Sequence, residues 1–264
     1  LTALWDNYHD AENRNGLELA QSKARMEEIA DRYGYSNWDM KTRQTVKLAS
    51  GDVQMTLGQI MSLWATWNRE QQLGPEMSNH LTGGGFYTEE QDLRDGLLGR
   101  TAVQKRAHRV TAEDMANVEG ILTQEQKNFV NAVVRYMSQD MSELGNEASM
   151  AAYGIKMYKE KYYFPMQMWD GIKSRKSNDA AQGANVDRAF HPSFSKSRTH
   201  GANNALVIGD FMQVATDHIA GMINYATMGL ANESLQKVLN YTLTEGENAE
   251  EATKRNVRAR LEED

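Results

Sequence analysis

The residues whose types could support metal chemistry are three histidines in the second half of the chain, His191, His200 and His218. A zinc site needs three or four converging ligands, and an H-x-x-x-H or H-E-x-x-H pair would fix two of them on one helix. No such pair occurs in this sequence. His218 falls on an apolar helical stripe, which is typical of a core histidine, and the other two lie in a predicted loop. We therefore predict no metal and no cofactor.

Glu233 is the carboxylate with the most suggestive neighbours, because Asn232-Glu233-Ser234 resembles the Glu-Ser start of lytic transglycosylase sites. A general acid of this type needs a raised pKa, an apolar pocket and a second partner group. The sequence at 235–238, LQKV, does not continue the transglycosylase pattern. A glutamate at the start of a helix is the simpler interpretation. A muramidase-type hydrolase therefore remains only an alternative.

Other catalytic patterns are absent from the sequence. There is no cysteine, no G-x-S-x-G elbow, no Walker lysine and no dinucleotide fingerprint. The triple glycine at 83–85 lacks a following Lys-Ser/Thr pair and is predicted to be a turn. For the whole sequence of 264 residues we predict no catalytic residues, no cofactor-binding residues and no enzymatic activity.

A basic segment after residue 171 is the strongest candidate for contact with a partner. Its cations alternate with Phe190 and Phe194, as in proteins that bind single-stranded nucleic acid. A solvated loop is the simpler interpretation, because the chain carries a net charge of −7. Nucleic-acid contact is therefore kept as an alternative function. The candidate contact residues are Lys173, Arg175, Lys176, Arg188, Lys196, Arg198 and His200.

The composition favours helices as the elements that position these residues. The 264 residues include only three prolines but fifteen methionines, and 40% are hydrophobic. No apolar run approaches the ~20 residues that span a bilayer. We predict an all-α fold, a multi-helix bundle with orthogonal or antiparallel neighbours and one long irregular loop around 171–204.

Apolar spacing and capping residues place the predicted helices. Capping patterns begin at Thr56, Thr111 and Thr123, and Gly34 and Pro165 are predicted to end helices. Between 210 and 226 one unbroken apolar stripe predicts the strongest helix of the chain. Helices are predicted over 4–33, 38–48, 146–165, 210–226 and 233–243. Two more are predicted to begin at residues 56 and 123, and one or two helical turns are predicted over 76–81.

The stretch 160–171 is rich in aromatic side chains and follows a predicted helix. Pro165 cannot continue a helix, and it favours an extended conformation for Phe164. We predict a structural plug that joins the first set of helices to the second, with roughly 1.5–3 kcal/mol for each fully buried large side chain. Its members are Tyr163, Phe164, Pro165, Met166 and Trp169.

Three regions are predicted along the chain. Residues 1–50 form an N-terminal helical segment, 51–245 the main helical domain, and 246–264 an exposed C-terminal helix. Glu250–Lys254 and Glu251–Arg255 pairs at i, i+4 support the last of these. Because the opening LTALWDNY already has a helical pattern, we expect the chain to be part of a longer protein.

Several short stretches, taken in order, resemble the large polyvalent protein-associated domains of phage and mobile-element polyproteins. The resemblance covers about residues 55–240 and leaves both ends of the chain outside. It rests on MTLGQIMSLW at 55–64, NRE at 68–70, HL at 80–81 with the glycines at 83–84, LTQEQK at 122–127, GNEASM at 145–150, YG at 153–154, YYFP at 162–165 and SKSRT at 195–199.

The resemblance implies a non-catalytic structural or interaction domain of a phage or prophage polyprotein. Such proteins can be packaged in the virion and ejected with the DNA, so the expected location is the virion or the host bacterial cytoplasm. The expected partners are other domains of the polyprotein or virion proteins. The resemblance supplies no catalytic residue.

Overall fold

The computed structural model describes residues 2–88, 107–168 and 204–244, and in these ranges the protein is mostly helical. The described helices are α1 (Thr2–Arg32), α2 (Leu57–Leu73), α3 (Ala112–Ile121), α4 (Gln124–Tyr136), α5 (Ser142–Tyr153) and α6 (Phe211–Thr244). The described strands are β1 (Arg43–Leu48), β2 (Gly51–Thr56), β3 (Phe86–Thr88), β4 (Gln167–Met168) and β5 (Leu206–Ile208). A 3₁₀ turn covers Tyr35–Asn37, and π-helical turns cover His80–Gly84 and Met137–Met141.

The helix predicted over 38–48 is wrong, because this segment leads into a β-hairpin. Strands β1 and β2 pair antiparallel, with Val46 opposite Val53. The buried positions of the hairpin alternate with exposed ones, as expected for a two-residue period. The fold is therefore helical with small sheets, not all-α. The predicted domain boundary at residue 50 falls in the turn of this hairpin, so backbone hydrogen bonds cross it.

A second sheet brings together three short strands from distant parts of the chain. Strand β5 lies in the middle, parallel to β3 and antiparallel to β4. The triple glycine precedes β3: two of its glycines end the π-helical turn, and Gly85 has a φ of 84°. A side chain at Gly85 would lie 2.9 Å from the carbonyl oxygen of His108. The helical turns predicted over 76–81 are replaced by the π-helical turn that begins at His80.

Helix α2 is the central helix of the core. Every residue from 57 to 65 is buried, so this helix is surrounded by protein on all sides. Its start is a complete capping box, as predicted, with Thr56 and Gln59 bonding each other's backbone N–H groups. The helix starts predicted at Thr111 and Thr123 are also confirmed, and each has a complete capping box.

Helices α4 and α5 are continuous through the π-helical turn at Met137–Met141. The helix predicted to begin at Asn146 and to end at Pro165 is therefore wrong at both ends. It ends at Tyr153, because Gly154 follows with a left-handed φ of 70° and donates its N–H to the Met150 carbonyl. The chain then runs without regular structure from 154 to 166.

Helices α1 and α6 run antiparallel along one side of the molecule. The end of α1 leads to Tyr35, which contacts Phe129, and Phe129 contacts Phe211 at the start of α6. Further along, Asn15 donates to Asn224 Oδ1 at 2.7 Å and to Thr227 Oγ1 at 2.8 Å. We call residues 4–21 of α1 together with 224–235 of α6 the arm.

Helix α6 confirms the predicted helix over 210–226, and its apolar stripe is buried. The separate helix predicted over 233–243 is wrong, since α6 continues without a break to Thr244. The buried apolar side chains of the stripe are those of Phe211, Val214, Ala215, Ile219, Met222, Ile223 and Ala226.

The first turns of α2 and α6 meet at Asp210. Its Oδ1 accepts hydrogen bonds from the backbone N–H groups of Met212 and Gln213, which caps α6. A methyl group on Gly58 in α2 would lie 1.9 Å from Asp210 Oδ2. A side chain at position 58 would therefore have to displace the Asp210 carboxylate, which caps α6.

Candidate functional site

The irregular segment 154–166, which we call the strap, is held at its start by side chains of α5. Asn146 donates from Nδ2 to the Tyr158 carbonyl at 2.7 Å and accepts from the Tyr158 N–H at 2.9 Å. Ser149 donates to the Ile155 carbonyl at 2.9 Å. These side chains replace the backbone partners that a strand or a helix would have provided.

The π-helical turn between α4 and α5 holds the strap further along. Its Ser138 donates to the Val134 carbonyl and accepts from the Tyr163 N–H, both at 2.7 Å. π-Helical turns inside α-helices are frequent where a side chain must take a special position. Here the turn gives a buried hydroxyl to a strap residue 25 positions away in sequence.

Arg69 of α2 is the residue on which the strap converges. Its Nε and Nη2 bind the two carboxylate oxygens of Glu160 at 2.9 and 3.1 Å, and its Nη1 donates to the Phe164 carbonyl. The guanidinium carbon also lies 4.3 Å from the ring centroid of Tyr163. Arg69 is 3% exposed, so a bidentate ion pair and a cation–π contact offset the burial of its charge.

Tyr163 and His218 extend this cluster towards α6. Their rings lie 4.9 Å apart. Burial raises the pKa of the Tyr163 hydroxyl, and the charge of Arg69 opposes part of that rise. Burial, together with the positive charge of Arg69, lowers the pKa of His218 to about 4. His218 is therefore a neutral imidazole at neutral pH, next to a permanent cation.

Glu70, the next residue of α2, holds a different segment of the chain through hydrogen bonds. Its carboxylate is 4% exposed and accepts from the Ser78 hydroxyl and from the backbone N–H groups of His80 and Leu81. His80 in turn contacts the Asn204 carbonyl through Nδ1 at 2.8 Å. The two adjacent buried charges of α2 thus fix two different irregular segments of the chain.

A small pocket lies next to Phe164, between α2, the strap and β5. Its free volume is about 10 Å³, which is the space needed by about one water molecule. Ser62 lines it with a buried hydroxyl. This pocket cannot admit a drug-sized ligand or an organic cofactor, which need several hundred Å³.

The predicted plug residues make different contacts in the structure. Phe164 is 1% exposed and stacks on Phe211, with ring centroids 5.3 Å apart and planes 8° apart. Met166 packs against the same core, and Pro165 lines the small pocket. Tyr163 belongs to the arginine cluster. Trp169 lies outside the described residues.

Most of the other predicted site residues lie outside the described ranges. The candidate contact residues of the basic segment, the histidines His191 and His200, and the tail 246–264 all lie outside the described ranges. Glu233 lies in the interior of α6 and not at a helix start. Among the described residues, no three His, Asp or Glu side chains are arranged to hold a metal ion. Within the same ranges, no helix combines the length and apolar character needed to cross a membrane.

The residues that tie down the strap were missed by sequence reasoning. Arg69 and Glu160 are 91 positions apart, and no local pattern links them. Ser138 and Asn146 have side chains common on any polar helix face. Only Arg69 gave a weak signal in the sequence. It lies seven positions after Ser62 and three after Thr66, so these three polar residues share one face of α2, and all three are buried.

No family model, no curated protein and no solved structure matches the chain. The interpretation of the cluster therefore rests on its own geometry.

The low pKa of His218 predicts a specific loss of stability in acid. The pKa in the unfolded chain is about 6.5 and in the folded chain about 4, so the unfolded chain binds the proton more readily. The contribution of neutral His218 is fully present above about pH 6.5 and is lost as the pH falls towards about 4, by at most about 3 kcal/mol. We expect His218→Gln to remove this part of the pH dependence.

Urea unfolding of both proteins between about pH 7 and pH 4.5 measures the effect directly. The difference in free energy of unfolding between wild type and His218→Gln should shift in favour of the variant as the pH falls. A difference that stays constant across this range would show that His218 is solvated in the folded protein.

Proposed function

We propose that this chain is a non-catalytic structural or interaction module of a large phage or prophage polyprotein, carried inside the virion or ejected with the DNA. The observation that supports this most strongly is the ion pair between Arg69, which is buried, and Glu160, whose side chain is 25% exposed. Arginine and glutamate are residue types that can perform chemistry, yet here their polar atoms bind each other and the chain's own backbone.

A reaction centre must leave its charged groups open to a substrate. Arg69 is 3% exposed, and Glu70 beside it uses its carboxylate to hold the turn at 78–81. The adjacent pocket has room for about one water molecule. These groups therefore fit the role of cross-links that give an otherwise irregular strap a fixed position.

The contacts of Arg69 also connect two stretches that carry the resemblance to polyvalent-protein domains. One is the sequence NRE at 68–70 in α2, and the other is YYFP at 162–165 in the strap. Arg69 donates to the Phe164 carbonyl and lies against the Tyr163 ring. Stretches that meet in the core are expected of a motif that defines a fold.

The proposal predicts that the isolated chain has no hydrolytic activity. Purified protein incubated with DNA, peptidoglycan or nucleoside triphosphates should give no more product than a preparation of Glu233→Gln. This variant is the matched control, because Glu233 is the residue that the muramidase alternative requires. Turnover by the wild type that disappears in Glu233→Gln would overturn the proposal in favour of that alternative.

A further inference from the structure

The strap runs back along α5 and the π-helical turn before it. Ser149 of α5 binds the start of the strap at Ile155, and Ser138 of the turn binds it further on at Tyr163. The two stretches are therefore antiparallel. No turn or bend interrupts residues 156–160. In such an extended stretch, successive side chains point to opposite sides of the chain.

Tyr158 and Glu160 define the inner side of the strap. Tyr158 faces a tyrosine ring of α6, with ring centroids 6.1 Å apart, and Glu160 is held by Arg69 of α2. Lys159 lies between these two inward residues and Lys161 follows them, and both lysines are exposed. Alternation therefore places Lys159 and Lys161 on the outer side, with at most about 7 Å between their Cα atoms.

An exposed tyrosine lies where α5 passes into the strap. Tyr153 is 49% exposed at the end of the helix, and Ile155, which is 55% exposed, follows two positions later. Between them, a side chain on Gly154 would meet no atom within 4 Å. Lys156 comes next and is also exposed. This turn is therefore open to solvent, and it presents an aromatic ring beside the first lysine of the strap.

The charges along this part of the chain are unbalanced. Residues 150–161 contain three lysines and one carboxylate, and Arg69 holds that carboxylate. The preceding acidic residue, Glu147, lies six positions before Tyr153, so it is about 120° around α5 from the tyrosine. A surface of this kind can have a positive local potential although the whole chain carries a net charge of −7.

We propose that the outer side of the strap, from Tyr153 to Lys161, binds single-stranded nucleic acid, and we call it the lysine edge. The lysines neutralise phosphates and the tyrosine ring stacks on a base, which is how proteins bind single strands without reading their sequence. A row of cations along an extended chain suits a linear polyanion. Stacking on the tyrosine requires an unpaired base, which favours a single strand over a duplex. The lysine edge is separate from the basic segment after residue 171, and the inference does not depend on the proposed function.

The test begins with the affinity of the whole chain for a labelled oligothymidylate of about 12 nucleotides, a length within the usual range of site sizes. Fluorescence anisotropy should show binding at low salt that weakens as the salt concentration rises. A wild type that does not bind at low salt would overturn the proposal.

A triple variant removes the cations of the lysine edge, Lys156→Gln with Lys159→Gln and Lys161→Gln. Each phosphate contact contributes about 0.7 to the slope of log affinity against log salt, so the slope should become shallower by about 2. The affinity at low salt should fall by more than about tenfold. Because all three residues are exposed, the fold should survive, and far-ultraviolet circular dichroism checks this. Unchanged binding would overturn the proposal and assign the contact to another part of the chain.

Substitution of Tyr153 tests the stacking contribution separately. Tyr153→Ala should weaken binding by about 5- to 150-fold, the usual effect of losing one stacked base. The salt slope should stay as in the wild type, because stacking releases no counterions. Tyr153→Phe keeps the ring and should bind as the wild type does. If the phenylalanine variant loses as much affinity as the alanine variant, the ring does not stack on a base and the site is wrong.

A matched control makes the same change of net charge on another surface. Lys23→Gln with Lys41→Gln and Lys47→Gln removes three exposed lysines of α1 and the region of β1. This variant should bind oligothymidylate as the wild type does. If its affinity falls as far as that of the strap variant, net charge is the cause and the lysine edge is not a site.

Anionic vesicles test a membrane surface as the other class of partner that lysines and an exposed tyrosine could bind. Vesicles of phosphatidylcholine and phosphatidylglycerol in equal parts are compared with oligothymidylate at the same salt concentration. We expect the oligonucleotide to bind more tightly. The reverse order of affinities would overturn the proposal in favour of a membrane surface.

Discussion

Replacing Arg69 with methionine is expected to cost about 3 kcal/mol of unfolding free energy, the lower end of the cost of breaking a buried ion pair, because Glu160 keeps 25% of its side chain exposed. Methionine matches the length of the arginine side chain but donates no hydrogen bond. It leaves the Glu160 carboxylate and the Phe164 carbonyl without their partner in the folded protein. Since small domains are stable by only about 5–15 kcal/mol, this change alone should make the protein marginal.

A double substitution separates the effect of losing the ion pair from the effect of changing the size of the side chain. Arg69→Met with Glu160→Leu removes both charges, and it should recover a substantial part of the loss because no charge is left unpaired. Arg69→Lys is the charge-conserving control, and it should still be destabilising, since an ammonium cannot make the bidentate contact. Denaturant unfolding measures all three variants. A cost below about 1 kcal/mol for Arg69→Met would show that the pair is solvated.

Truncation of Phe164 to alanine is the second change with a large expected effect, a loss of about 3–5 kcal/mol. Phe164 is 1% exposed and stacks on Phe211, so its removal leaves a cavity between the strap and the start of α6. The loss should appear as unfolding of the domain at lower denaturant concentration, not as a folded protein that has lost a binding activity.

Two further variants make this result interpretable. Phe164→Leu should cost less than the alanine variant, because it keeps most of the buried volume. Tyr153→Ala, at an aromatic side chain that is 49% exposed near the start of the strap, should change the unfolding free energy by less than about 0.5 kcal/mol. A Phe164→Ala protein as stable as the wild type would show that the strap does not close the core.

Local sequence rules were sufficient where one turn of chain determines the structure. The capping box of Thr56 with Gln59 predicted the start of α2, and the stripe from Phe211 predicted α6, because both are formed by residues within four positions of each other. The hairpin β1–β2 was missed although a signal was present. Val46 and Leu48 before the turn, and Val53 and Met55 after it, have the period of a strand.

The strap shows why the rest could not be predicted. The sequence predicts that Pro165 ends a helix, but Gly154 already ends this helix eleven positions earlier. What fixes the path of the strap afterwards is the set of contacts with Ser138, Asn146 and Arg69. The most important of these joins positions 91 apart, and a sequence alone gives no measure of such a distance in space.

The antiparallel course of α1 and α6 has a mechanical consequence. Thr2 and Thr244 lie at the same end of the arm, so a pulling force on chain that adjoins them would separate the two helices from their free ends, turn by turn. Across residues 4–21, all of which the structure describes, no side chain of α1 is buried, and full burial begins at Ser22. Under tension the arm would therefore peel open at low force, and the load would reach the tightly packed helices around α2 only afterwards.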